Sequence, residues 1–214
     1  MEDKGEKEEN AAKPAHKKEN NLEKQAIILF VVMGLILASF LIAYYIFKPK
    51  PYFDYEGFRI TKMKVSPSSP ETFYVITLQG KGNTQSNIYL RNDPRKLNVS
   101  VDVDRLFGGI SKVWITIPPD LKSDAIMASN DIGVFTSRIS LDTSFALTKV
   151  EEGDYPQIGC ENATKNTRVF MINISNETRV YEDGYCIMVE GTDYKKLVEA
   201  ADSLVWTWLQ RLKK

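Results

Sequence analysis

An apolar run sets the strongest limit on how this chain can fold. Residues 26–47 (AIILFVVMGLILASFLIAYYIF) are 22 consecutive residues without a charge. A helix of that length rises about 33 Å and can cross a hydrocarbon core of about 30 Å, with its backbone polar groups satisfied internally. Apart from Ser39 the run lacks the polar face of a soluble core helix, and it is longer than the apolar region of about 7–15 residues in a cleavable signal peptide. We therefore predict a transmembrane helix over residues 26–47.

The residues on either side of the apolar run differ in character. Residues 1–25 carry six lysines, seven acidic residues and no aromatic side chain, so they cannot bury enough apolar surface to offset the entropy of ordering. We predict a disordered cytoplasmic tail over 1–25. Residues 48–57 begin Lys-Pro-Lys-Pro and predict a stiff linker, since prolines favour extended conformations. The remaining residues, 58–214, are expected to form one exterior domain.

The orientation of the span depends on two features of the region after it. Charges flanking the span differ by only one lysine or arginine and do not decide the orientation. The later region contains the two cysteines, Cys160 and Cys186, which predict one disulfide in an oxidising space. It also contains four Asn-X-Ser/Thr acceptor sites for glycosylation, at Asn98, Asn162, Asn173 and Asn176. Chance sequons and buried thiols are the alternative reading. We predict a cytoplasmic N-terminus and the C-terminal domain outside the cell membrane.

The absence of histidine from the exterior domain excludes several kinds of chemistry. The chain has one histidine, His16, which precedes the apolar run. Ser-His-Asp and Cys-His hydrolase arrangements are therefore impossible in the domain, and so are zinc sites built from three histidines or from two cysteines and two histidines. No P-loop or GxGxxG pattern occurs. We predict no catalytic residue, no cofactor and no metal site.

Carboxylates provide the remaining route to chemistry. Asp102 and Asp104, in Val-Asp-Val-Asp, would share one face of a strand, as alternate residues do. Such a pair could serve a glycosidase or bind calcium, but a solvated strand face explains the spacing as well. Residues 48–214 have 22 basic and 21 acidic side chains and hence no basic excess for binding nucleic acid.

The domain alternates strand and helix patterns. Strands are predicted over residues 58–65, 72–78, 87–91, 112–117, 168–174 and 185–189, with a further β-rich stretch over 134–150. A helix is predicted after Pro118, with Gly133 at its end, and a long final helix with Thr192 as its cap. These elements predict an α/β or α+β fold, in which a single mixed sheet packs with a long C-terminal helix.

Three segments resemble a group of small, single-pass, membrane-anchored archaeal proteins. The segments are Leu90–Leu97 with its Arg-x-x-Pro-Arg sequence, Ile158–Thr164 around the first cysteine, and Cys186–Gly191 followed by a helix containing Ala201 and Asp202. The resemblance implies an exterior domain with a cysteine pair and a location in the cell envelope. No activity comes with it, so no catalytic or binding residue is carried over.

Two classes of function remain open. The first is a binding or structural component of the cell envelope that contacts a protein partner, and the second is a membrane-tethered enzyme that uses carboxylates. A pilin-like subunit is disfavoured because the nearest glycine before the span, Gly5, lies far upstream. Gly34 and Ala38 form one small-xxx-small pair, which is weak support for a homodimer.

Overall fold

The computed structural model describes residues 16–48, 50–64, 66, 68–69, 71–79, 85–104, 107–121, 123–149 and 155–213. The chain divides into two compact units between residues 50 and 51. The first unit contains helix α1, and the second contains all of the strands and the other helices.

Helix α1 spans His16–Phe47 and contains the predicted membrane segment. Residues Lys24–Phe47 are long and apolar enough to cross a membrane, and they form the only such helix in the described part of the chain. The hydroxyl of Ser39 donates to the carbonyl of Ile36, so the one polar side chain that the sequence identified here has a partner within the helix. Residues 16–25 are helical, contrary to the predicted disorder, since Lys, Glu, Gln and Leu propagate a helix once it is nucleated. Residues 1–15 of the predicted tail lie outside the described residues.

A four-stranded antiparallel sheet opens the second unit. Its strands follow chain order: β1 (Tyr52–Tyr55), β2 (Phe58–Lys64), β3 (Thr72–Gln79) and β4 (Gln85–Leu90). Strand β1 lies inside the predicted linker, which is a correction. Glu56 and Gly57 adopt φ values of 49° and 75°, so they form the two-residue turn that the right-handed twist of a hairpin favours. Tyr-Phe-Asp-Tyr can then pair with β2.

The second sheet has six strands in the order β5-β9-β10-β8-β6-β7, so the unit contains two sheets where a single mixed sheet was predicted. Strands β10, β8, β6 and β7 are parallel, β9 is antiparallel to β10, and β5 is parallel to β9. The bounds are Ser100–Asp102 for β5, Lys112–Ile117 for β6, Asp142–Leu147 for β7, Thr167–Ile174 for β8, Arg179–Asp183 for β9 and Cys186–Gly191 for β10. Short 3₁₀ turns occupy Pro94–Lys96 and Cys160–Asn162.

Two helices, α2 (Ser123–Arg138) and α3 (Tyr194–Lys213), lie between the sheets. Trp206 and Trp208 are two residues apart on α3, so they point about 200° apart around its axis. Trp206 stacks on Tyr55 of β1 at 5.7 Å, whereas Trp208 meets Phe170 of β8 at 5.4 Å. The helical layer therefore contributes to one continuous core with both sheets, and the fold is α+β.

Two helix boundaries differ from the prediction. Gly133 lies inside α2 and does not end the helix. A Cβ at this position would come within 2.7 Å of the Phe145 ring, so glycine allows α2 to pack closely against β7. The helix continues to Arg138 and ends in a Schellman-type turn, with Ser140 at φ 67° and the Leu141 N–H donating to the Thr136 carbonyl. The β-rich stretch predicted from residue 134 therefore begins at β7.

The cap of α3 is Asp193. Its Oδ1 accepts the N–H of Lys196 at 2.8 Å, and its carbonyl accepts the N–H of Leu197. The hydroxyl of Thr192, the predicted cap, instead lies 3.4 Å from that of Thr178.

Candidate functional site

A cleft of about 350 Å³ opens in the second unit. Helices α2 and α3 follow the parallel strands β6 and β10, so both helices begin at the carboxyl edge of the six-stranded sheet, where α/β folds commonly bind ligands. The cleft lies between the N-terminal halves of these helices, the start of β3 and the end of β4. It is lined by Glu71, Thr72, Phe73, Arg91, Asn92, Met127, Tyr194, Lys195 and Val198.

The polar wall of the cleft is fixed by one carboxyl group of the central helix. Asp202 of α3 is completely buried. Its Oδ2 accepts the backbone N–H of Arg91 at 3.0 Å, the backbone N–H of Asn92 at 2.7 Å and the Asn92 side-chain amide at 2.9 Å. The segment that follows β4 is therefore tied to α3 at the point where it lines the cleft.

A second buried carboxyl group holds the side chain of Arg91. Asp131 of α2 accepts the Arg91 Nε at 2.9 Å, and the guanidinium lies 4.9 Å from the centre of the Phe73 ring. The Arg91 side chain remains about a quarter exposed, whereas that of Asp131 is 6% exposed. One side of the guanidinium is thus fixed internally while the group still reaches the cleft.

The two carboxyl groups have raised pKa values. Burial raises the pKa of Asp202 to about 7, with a further rise from the charge of Asp131. Burial raises the pKa of Asp131 to about 6, opposed by the charge and hydrogen bond of Arg91. Asp202 Oδ1 has no hydrogen-bond partner among the described residues. The pair is therefore a place where a proton can be held near neutral pH.

The next residues of the loop form a rigid turn. Asp93 Oδ1 accepts the backbone N–H of Arg95 at 3.1 Å and its Nε at 2.9 Å, and Oδ2 lies 2.6 Å from the guanidinium. The hydrogen bond from Arg95 is the main cause of the lowered pKa of Asp93. Arg95 also lies 4.0 Å from the centre of the Phe53 ring, which fixes the turn against β1. The Arg-x-x-Pro-Arg segment thus uses its first arginine at the cleft and its second against the four-stranded sheet.

The predicted disulfide is present, with Sγ atoms 1.99 Å apart and Cα atoms 5.2 Å apart. It joins Cys160, in a 3₁₀ turn, to Cys186, the first residue of β10. Cys186 therefore lies at the amino edge of the parallel strands, opposite the edge that carries the cleft. The bond positions β10, and through it the start of α3, without lining the cleft.

The carboxylate pair that the sequence suggested does not contribute to the cleft. Asp102 ends β5 and Asp104 lies two residues beyond it, and both are exposed. The backbone N–H of Asp104 donates to Glu182. Within the described residues, no group of three or more His, Cys, Asp or Glu side chains could hold a metal ion.

The predicted acceptor asparagines differ in exposure. Asn98, Asn162 and Asn176 are exposed, whereas Asn173 is half-buried near the end of β8. Asn162 also accepts the backbone N–H of Gly159 through its side-chain oxygen. Gly34 and Ala38, the small residues of the predicted dimer contact, are both exposed on α1. Glycosylation of these asparagines and formation of a homodimer stay predictions.

Sequence reasoning did not identify Asp131 and Asp202 as site residues. One signal was available: Asp202 interrupts the apolar stripe of the final helix between Ala201 and Leu204, and a carboxyl group on a buried helix face needs partners. Those partners, Arg91 and Asn92, are about 110 residues away along the chain.

Comparison of the chain with protein-family models, with curated protein sequences and with solved structures found no match. The resemblance to archaeal membrane-anchored proteins therefore stays a prediction.

Proposed function

We propose that this chain is a single-pass membrane protein that holds its α+β unit outside the cell, in the envelope, and binds a partner in the cleft. The observation that carries the proposal is the burial of two carboxyl groups, Asp131 and Asp202, behind the wall of the cleft. Two carboxyl groups are buried at the α2–α3 contact to hold Arg91 and Asn92, although apolar residues of similar volume would join the helices at a lower free-energy cost. Buried carboxyl groups with raised pKa values are typical of functional sites.

The membrane location and orientation are supported by separate features. Residues 24–47 form a helix of spanning length. The disulfide between Cys160 and Cys186 suits an oxidising space outside the cytoplasm. Three of the four acceptor asparagines are exposed, as glycosylation at the exterior face would require.

Binding is favoured over catalysis by the position of the carboxyl groups. A general acid or base must come within hydrogen-bond reach of the substrate. Asp131 and Asp202 have raised pKa values, but neither lines the cleft and both are buried behind Arg91 and Asn92. The two carboxyl groups are suited to positioning Arg91 and Asn92, and these two residues are suited to holding a ligand in the cleft.

Site-specific photo-crosslinking tests the proposal. A photoreactive phenylalanine analogue at Lys195, on the cleft, is compared in native membranes with the same analogue at Lys165. Lys165 is an exposed residue that precedes β8, at the opposite edge of the sheet. We expect a discrete crosslinked product from position 195 alone. Identical products from both positions, or none from position 195, would contradict a binding role for the cleft.

A further inference from the structure

The charges of the cleft are unequal. Among its lining residues Arg91 and Lys195 are cations, and Glu71 is the one acid. The other walls include the apolar side chains of Phe73, Met127 and Val198. A ligand that joins an anionic group to an apolar body would match both kinds of surface.

The charge that Arg91 presents to the cleft depends on the group behind it. Asp131 accepts a hydrogen bond from the Nε of the Arg91 guanidinium at 2.9 Å. When Asp131 is ionised, it compensates the arginine charge. When Asp131 is neutral, its oxygen still accepts the hydrogen bond but the positive charge is no longer balanced, and an anion in the cleft gains the attraction.

We propose, on the basis of the proposed binding function, that the cleft binds an organic anion with an apolar body and takes up a proton on the buried Asp131–Asp202 pair as it does so. Binding and proton uptake are reciprocal: an anion beside Arg91 competes for its charge and makes ionisation of Asp131 less favourable, and protonation of Asp131 strengthens anion binding by the same factor. The affinity for the anion therefore rises as the pH falls.

The charged groups around Asp131 come from two other elements. The segment after β4 contributes Arg91, which stabilises the ionised form of Asp131, and α3 contributes Asp202, whose own pKa is raised further by the charge of Asp131. Burial places the pKa values of the two acids at about 6 and about 7, so the proton is exchanged close to neutral pH. Glu71 at the rim is exposed, and its charge is screened by water.

The test uses the full chain in lipid nanodiscs and two small probes. Phenylmethanesulfonate stays ionised at every pH used, and phenylmethanesulfonamide is its neutral analogue. Saturation-transfer NMR measures the dissociation constant of each probe at about pH 5 and about pH 8, with empty nanodiscs subtracted. We expect the sulfonate to bind at least about fivefold more tightly at the lower pH, and the sulfonamide to bind more weakly at both.

Two variants separate proton linkage from a general effect of pH. Asp131→Asn imitates the neutral acid, and we expect it to bind the sulfonate equally at both pH values, at the wild-type low-pH affinity. Asp202→Asn removes the second buried carboxyl group but keeps burial and Arg91, the causes of the Asp131 pKa of about 6, so we expect the pH dependence of sulfonate binding to persist in this variant. Loss of that dependence in Asp202→Asn would contradict the role given to Asp131, even if Asp131→Asn does not fold. Lys165→Ala, at the opposite edge of the sheet, is expected to behave as wild type.

Three results would overturn the inference. They are equal sulfonate affinity at both pH values in the wild type, equal binding of the two probes, and no binding of either probe. The proposed function is judged separately by crosslinking at position 195, where the photoreactive analogue replaces Lys195 and leaves Arg91 in place. Crosslinking without pH-dependent sulfonate binding would thus reject the ligand class and retain the cleft.

Discussion

Replacing Asp202 by asparagine is expected to change how the stability of the second unit depends on pH. The pKa of Asp202 rises from 3.8 to about 7 in the folded state. Between these values the folded protein keeps a proton on Asp202 that the unfolded chain releases, so the contribution of Asp202 to folding stability is fully present below about pH 4 and is lost as the pH rises towards about 7. A shift of this size corresponds to at most about 4 kcal/mol, and coupling to Asp131 reduces the share that belongs to Asp202 alone.

Asparagine carries no titrating proton and retains an oxygen for the three hydrogen bonds from Arg91 and Asn92. We therefore expect the free energy of unfolding of Asp202→Asn, relative to wild type, to increase by about 2–4 kcal/mol between about pH 4 and about pH 8. The remaining dependence on pH in the variant should come partly from Asp131, whose pKa is raised to about 6.

Urea unfolding followed by tryptophan fluorescence measures this change in the full chain. All three tryptophans, Trp114, Trp206 and Trp208, lie in the second unit, so the signal does not come from α1. Asp104→Asn is the matched control, since it removes the charge of an exposed aspartate on the same unit. If wild type, Asp202→Asn and Asp104→Asn lose stability in parallel as the pH rises, the reasoning about the buried carboxyl group is wrong.

Three further predictions concern topology, the disulfide and the helix packing. Protease added to intact cells should degrade the second unit and leave the N-terminal tail protected, and protection of the second unit instead would reverse the proposed orientation. Replacement of either cysteine by serine should cost on the order of 3 kcal/mol and lower the melting temperature by several degrees in calorimetry, because the bond restricts the unfolded chain; two free thiols in protein purified without reductant would refute the bond. Gly133→Ala should destabilise the unit by about 1–3 kcal/mol, because the added methyl group would lie 2.7 Å from the Phe145 ring. Phe145→Leu should recover part of that loss in denaturation experiments, and an additive double variant would show that the contact does not limit packing.

The strands were predictable where local pattern and packing agree. The run Lys112–Ile117 forms β6 with the predicted bounds, since its β-branched residues alternate between two sides of a buried strand. The sequence pattern predicted the wrong local structure where tertiary packing or hairpin pairing decides the conformation of a residue. Glycine is typical of a helix end, but Gly133 lies inside α2 and packs closely against the ring of Phe145. Glutamate is not typical of a turn, but Glu56 adopts the positive φ of the β1–β2 hairpin.

The cleft was less predictable than the fold because its parts are joined only through tertiary hydrogen bonds. The resemblance identified the Arg-x-x-Pro-Arg segment and the helix with Asp202 as separate features. The structure brings them together through one carboxylate oxygen, Asp202 Oδ2. Asp131 completes the arrangement from a third element, and nothing in its local sequence distinguishes it from a solvated helix residue.

The position of α3 has a consequence for how the protein is made. This helix follows every other element described along the chain, yet it lies with α2 in the layer between the two sheets, with Trp206 against one and Trp208 against the other. Neither sheet can finish burying its inner face until the segment 194–213 has been synthesised. The unit therefore folds late, with a high share of contacts between distant residues. A chain that cannot close its core early stays unfolded for longer during synthesis, which would suit the proposed orientation, in which this unit crosses the membrane.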